Sequence, residues 1–246
     1  MEGYKPAQSF GPDVAPQYRK AERGDEASAV RFLKGIAAGG PALELAIGTG
    51  RIALPLAAEG LRVDGVDISP AMIEQLRLPP GGSDIAVTLG DIVDAPLGGT
   101  YELIYIVWNS FFNILTQDGQ IRCFKNAAEH LSPTGSFVIE TYVPSFLHKI
   151  ADNQYVHAEA LSLDEVKLDV LRHDGATQII EESHVCLKQS GIHLNPVVQR
   201  YAWPSELDLM ANIAGLTLKN RFSNWEKARF DSKSEIHISV YGMPPA

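Results

Sequence analysis

Three acids and a pair of glycines carry the first chemistry this sequence offers. Glu44 sits in an apolar run, Leu43 to Ile47, that feeds directly into Gly48-Thr49-Gly50. Asp67 closes a second run, Arg62 to Ile68, and Asp91 follows a third, Ile85 to Leu89, inside Gly90-Asp91-Ile92. Glycines in such a loop let a ligand lie against bare backbone, and the helical pattern resuming at Arg51 opens with N–H groups that have no intrahelical acceptor. The loop therefore suits a ligand with carboxylate or phosphate oxygens and hydroxyls. Gly48, Gly50 and Ala53 also fit the G-x-G-x-x-G/A spacing of dinucleotide sites, so a nicotinamide or flavin cofactor is a competing reading.

The elements that must position these residues alternate strand and helix. Asp25 is placed to cap a helix with Val30, Leu33 and Ile36 on one face, stopped by Gly39-Gly40-Pro41. Ser69-Pro70 starts another helix, carrying Met72, Ile73 and Leu76, and Pro79-Pro80-Gly81-Gly82 ends it. Tyr101 to Trp108 is almost continuously apolar, as expected of a strand covered on both faces of a parallel sheet, and it delivers Asn109 to the sheet edge. A helix over Asp118 to Leu131 and a strand over Ser136 to Thr141 then bring Glu140 to the same edge. From Val166 to Tyr201 the pattern changes to antiparallel hairpins, with turns at Asp174-Gly175 and Ser190-Gly191. In the last hairpin strand Ile192, Leu194 and Val198 share a packing face, and His193, Asn195, Gln199 and Tyr201 face water or a ligand. A helix after Trp203-Pro204 and two strands, Leu216 to Ser223 and Ile236 to Tyr241, finish the chain. The fold class is α/β, a doubly wound and mostly parallel seven-stranded sheet with an inserted antiparallel β-meander.

The combined pattern resembles the class I S-adenosylmethionine-dependent methyltransferases. The family's acidic-plus-glycine loop is matched by Glu44, Gly48 and Gly50, with Ala46 standing where its first glycine usually is. The resemblance implies S-adenosyl-L-methionine as cofactor and S-adenosyl-L-homocysteine as product. It further implies that Asp67 binds the ribose hydroxyls, that Asp91 and the Ile92 N–H read the adenine, and that Ile68 and Met72 flank the ring. Arg51 joins this cofactor set, as do Tyr18 and Arg23 from an N-terminal arm or lid over residues 1–24. Residues 25–144 and 202–246 are then the cofactor domain. Residues 145–201 are an inserted, β-rich, acceptor-covering subdomain, as in small-molecule methyltransferases.

Transfer to an amine needs only a neutral nitrogen, whereas a hydroxyl needs a base. Asn109 is the candidate orienter, and Glu140, His193 and His148 are candidate bases, with Tyr142 or Tyr201 as orienting hydroxyls. A net charge of −9 argues against a nucleic-acid partner. No stretch is long and apolar enough for a membrane, and Cys123 and Cys186 lack metal-ligand spacing. The expectation is a cytoplasmic methyltransferase with buried reduced thiols, no metal, and a small-molecule acceptor at N or O; the oligomeric state is open, a homodimer included. The rivals are a cofactor-binding protein of this fold without methyl transfer, or with another reaction such as a cyclisation, and an NAD(P)-dependent oxidoreductase.

Overall fold

The computed structural model describes residues 1–20 and 23–245. In chain order the elements are α1 (Pro6–Ser9), α2 (Ala15–Tyr18), α3 (Glu26–Ala37), β1 (Ala42–Leu45), α4 (Ala53–Ala58), β2 (Val63–Asp67), α5 (Pro70–Leu76), β3 (Ala86–Leu89) and β4 (Tyr101–Ile106). Then come α6 (Gln117–His130), β5 (Leu131–Tyr142), β6 (Gln154–Leu161), β7 (Glu165–Asp174), β8 (Ile179–Lys188), β9 (Gly191–Arg200), α7 (Pro204–Ile213), β10 (Thr217–Phe222) and β11 (Ile236–Gly242).

The main sheet has the order β10-β11-β5-β4-β1-β2-β3. Strands β3, β2, β1, β4 and β5 run parallel, and β11 pairs antiparallel with both β5 and β10. The chain winds outward from β1 to β3, then returns to lay β4 on the other side of β1. Ligands of open α/β sheets bind beyond the strand ends at such a reversal. Burial follows the apolar runs: Leu43, Leu45, Leu103, Ile104 and Ile106 are fully buried, and the two faces are filled by Phe111, Phe124 and Tyr241 on one side and Phe32, Leu33 and Tyr105 on the other.

Several sequence expectations change in detail. Strand β4 stops at Ile106 rather than Trp108, because Trp108 and Asn109 turn the chain through left-handed conformations, φ 54° and 60°. Asp25 makes no side-chain cap; the Glu26 carboxylate instead accepts the Arg23 and Gly24 N–H groups at 2.7 and 2.9 Å. The arm contains the short helices α1 and α2 rather than wholly irregular chain. The inserted sheet, β6-β7-β8-β9, has a fourth strand, β6, that the hairpin pattern did not reveal. Ile192 and Leu194 are exposed, because the outer half of β9 extends past the elements that bury Val198. Cys123 is buried, but Cys186 is only half-buried; both thiols are free.

Ala46 also adopts a left-handed conformation, φ 59°. An alanine there costs about 1–2 kcal/mol relative to the right-handed region, more than glycine's extra freedom costs the folded state. Ala46→Gly is expected to raise stability by about 0.5–1 kcal/mol, read as a higher denaturation midpoint at unchanged m-value. A lower midpoint would show that the loop is not strained at Ala46.

Candidate functional site

One large cavity, of about 600 Å³, opens beyond the carboxyl ends of β1, β2 and β4. Its floor is the glycine loop, its back wall the turn after β4, and its roof the arm together with the inner face of the second sheet. Phe10 and Tyr18 close it from the arm side; Tyr155, Leu171, Glu182 and Val197 close it from β6 to β9. Two adjacent residues fasten the arm, one to the first turn of α5 and one to the second sheet. Ser69 Oγ donates to the Phe10 carbonyl at 2.6 Å, and Ser9 Oγ donates to the Pro196 carbonyl at 2.5 Å.

At the floor, the Asp67 carboxylate accepts the Gly48 N–H at 2.7 Å and the Ser69 N–H at 2.8 Å, tying the glycine loop to the start of α5. Burial raises the Asp67 pKa, and those backbone N–H bonds oppose the rise. Gly48 has φ 56°, and a Cβ there would meet nothing closer than 4.0 Å, so its bare backbone faces open cavity. Gly50 serves packing instead: it does not line the cavity, and a Cβ would come within 2.1 Å of Leu76 Cδ1. Glu44, Ala46, Ile68, Met72, Asp91 and Ile92 all line the same wall. Asp91 accepts the Val93 N–H at 2.9 Å, while the Ile92 N–H has no acceptor among the described residues.

Glu44 is buried, and the Tyr105 hydroxyl donates to it at 2.9 Å. Burial pushes its pKa up to about 8, against the pull of the Tyr105 hydroxyl, the Arg51 charge and the Ala53 N–H. Arg51 lies in the cavity wall with its guanidinium 3.2 Å above the Trp108 ring and its Nη1 buried without a hydrogen bond. Glu26 is 3.6 Å from that nitrogen, and burial lowers the Arg51 pKa. A partly buried guanidinium with one nitrogen free of hydrogen bonds, a buried acid, exposed glycine backbone and a free N–H thus line one pocket. That set fits an amino-acid zwitterion joined to a nucleoside.

The catalytic candidates separate. Glu140 does not line the cavity: its side chain is 2% exposed and accepts both Arg23 Nη atoms, at 2.8 and 3.2 Å, and the Trp108 N–H at 2.6 Å. Its oxygens are committed to holding the arm and the β4 turn, which displaces it as a base and keeps Arg23 from the ligand wall. Asn109 lines the cavity, but its Oδ1 accepts the Tyr142 N–H at 2.7 Å, leaving the amide nitrogen as the group able to orient a ligand. His193 is exposed on β9, outside the cavity. His148 is also exposed and stacks on Trp203 at 5.5 Å, and Tyr201 is buried away from the lining. Tyr142 does line the cavity and donates to Gln199 Oε1 at 3.1 Å.

Sequence reasoning missed Trp108, read only as the end of an apolar strand, although Tyr18 at 5.3 Å and Arg51 both pack on it. It also missed Glu182 and His184, which line the cavity from β8. Alternation along β8 was the available signal.

With 34% identity over 98% of this chain and 100% of the other, the CcbJ methyltransferase of Streptomyces caelestis superposes at a TM-score of 0.91. The chain belongs to the S-adenosylmethionine-dependent methyltransferases. A family model for a methyltransferase domain matches residues 42–135. The cypemycin N-terminal methyltransferase of Streptomyces sp is 27% identical over 80% of this chain and 81% of that protein. The dTDP-4-amino-2,3,4,6-tetradeoxy-D-glucose N,N-dimethyltransferase of Saccharopolyspora spinosa is 34% identical over 41% of this chain and 39% of its own length. The cofactor is S-adenosylmethionine, and the nicotinamide reading falls with this membership.

The raised Glu44 pKa has a consequence for stability. Between the ordinary value of 4.5 and about 8 the folded state keeps a proton that the unfolded state releases. Stability from this group is therefore lost as pH rises through that window, by up to about 1.4 kcal/mol per pH unit. Glu44→Gln removes the ionisation, so its stability relative to wild type is expected to climb from pH 5 to about pH 8 in denaturant titrations. Parallel pH curves would contradict the assignment.

Proposed function

We propose that this enzyme methylates the nitrogen of a small acceptor, and that the wall holding Asp67, Arg51 and Glu44 receives the cofactor. The observation that carries the reading is the cavity running from the glycine loop to the underside of the second sheet. Of the two relatives, one is named as an N,N-dimethyltransferase and the other as an N-terminal methyltransferase, which supports an acceptor nitrogen. Bound there, S-adenosylmethionine supplies a methyl group activated on a sulfonium, open to in-line attack.

In this reading Asp67 holds the ribose hydroxyls, and Asp91 and the Ile92 N–H read the adenine between Ile68 and Met72. The Arg51 guanidinium takes the amino-acid carboxylate and Glu44 the ammonium; the bare Gly48 and the small Ala46 let the ligand approach the backbone. Tyr18 closes the pocket. Arg23 anchors the arm through Glu140, and the Asn109 amide orients the acceptor. Residues 1–24 act as a lid, 25–144 with 202–246 as the cofactor domain, and 145–201 as the acceptor cover. Positioning of this kind accounts for about 7–11 kcal/mol of barrier lowering in favourable cases, without a covalent catalyst. Among the described residues no helix is long and apolar enough to cross a membrane, and the unpaired cysteines suit a reducing compartment such as the cytoplasm.

Calorimetric titration with S-adenosylmethionine tests the pocket. Asp67→Ala is expected to weaken binding by about 10- to 100-fold, the worth of a charged hydrogen-bonding group. Unchanged affinity would remove Asp67 from the site. Glu140→Gln is expected to lower cofactor affinity and turnover together, because Trp108 and Arg23 lose their anchor. A fall in turnover with cofactor affinity intact would restore Glu140 as a base.

A further inference from the structure

The second sheet places a charged group in the cavity that the cofactor wall does not use. Glu182 and His184 are two apart on β8, so both project from one face, about 7 Å apart along the strand. Both line the cavity. Register sets Leu171 and Val197 beside Glu182, and Asp169 and Asn195 beside His184. His184 Nδ1 is 2.5 Å from Asp169 Oδ1, and since a carboxylate only accepts, the nitrogen is the donor. That bond fixes the tautomer and leaves the His184 Nε2 lone pair free in the neutral ring. Glu182 makes no hydrogen bond or ion pair with any described residue, so its carboxylate awaits a partner.

We propose that Glu182, His184 and Asp169 form the acceptor's ammonium subsite: Glu182 pairs with a protonated aliphatic amine, and His184, positioned by Asp169, takes its proton. This rests on the proposed N-methylation and names its acceptor class. An aliphatic amine arrives as a cation without a lone pair. Transfer of one N–H proton to His184 Nε2 leaves a neutral amine whose lone pair forms the new C–N bond as the S–CH₃ bond breaks. The positive charge of the sulfonium passes to the methylated nitrogen, and His184, 45% exposed, gives its proton to water.

The groups facing this subsite are mostly acids and phenols: His157, Glu159 and Tyr155 from β6, Asp169 from β7, Tyr142 from β5 and Tyr18 from α2. Burial raises the Glu182 pKa; His184 opposes that, while Asp169 and Glu159 add to it. An incoming ammonium relieves the crowding of negative charge. The ligand atoms of Glu159, Asp169 and His184 also lie within 4.8 Å of one another, so a divalent cation is the rival occupant.

The test uses the full chain with S-adenosylhomocysteine, piperidine as the cationic probe and cyclohexanol as its neutral counterpart. Piperidine is expected to shift the His184 imidazole NMR signals and cyclohexanol to leave them in place, with Glu182→Gln weakening piperidine binding by about tenfold or more. In methyl transfer to piperidine, His184→Gln and Asp169→Asn are expected to move the half-maximal pH of kcat upward by about one unit or more while KM changes less than threefold. Equal responses to both probes, unchanged affinity in Glu182→Gln, an unchanged pH profile, or no transfer to piperidine at any pH would overturn the subsite. So would micromolar Mn²⁺ broadening the His184 signals, or loss of activity in EDTA. Affinity for S-adenosylhomocysteine, read in the same samples, separates the two claims: its loss sinks the proposed cofactor pocket, whereas its retention without a piperidine response sinks only the subsite.

Discussion

The site depends first on one carboxylate. Asp67, at the end of β2, accepts N–H groups from Gly48 and from Ser69, so the glycine loop after β1 and the first turn of α5 are held by the same two oxygens. Hydrogen bonds to an ionised acceptor are worth roughly twice neutral ones. Here they also fix a loop containing left-handed Ala46 and Gly48. With the loop pinned, its bare backbone and Glu44 face the cavity at the point where the sheet reverses its strand order.

A second carboxylate organises the opposite wall. Glu140 binds Arg23 of the arm and the Trp108 N–H of the β4 turn, and Trp108 in turn supports Arg51 and Tyr18. Arm, sheet edge and pocket cation are thereby coupled through one indole ring. Breaking a buried ion pair by removing one partner strands the other charge, which is costlier than the pair's net worth. The arm therefore closes over the pocket as part of the folded structure, with its route set by Glu140, Ser69 and Pro196.

Much of this was legible in the sequence, and the exceptions have physical reasons. The apolar runs carrying Glu44 and Asp67 announced their strands because β1 and β2 are buried within the sheet, the run before Asp91 was legible as the edge strand β3 from its apolar residues alone, and Ser69-Pro70 announced α5 because the Ser69 side chain caps it. Glu140 was placed on the correct strand end, but its partner Arg23 lies 117 residues away, and no local pattern reports such a pair. Trp108 looked like strand because the sign of φ is invisible in an apolar run; Asn109, tolerant of the left-handed region, was the one hint. β6 was missed since its residues are mostly exposed and include Ala and Glu, which blunts alternation. The grouping of Glu182, His184 and Asp169 needed the register of β7 against β8, a tertiary fact.

The central claim is that the cofactor lies across the carboxyl ends of β1 and β2 with its sulfonium facing the second sheet. A crystal structure of the S-adenosylhomocysteine complex tests it most directly. The account predicts the ribose hydroxyls on Asp67, the adenine beside Met72 and Ile92, the carboxylate on Arg51, and the thioether turned toward Trp108 and Tyr142. A nucleoside bound elsewhere, or bound in reverse with its ribose away from Asp67, would contradict it.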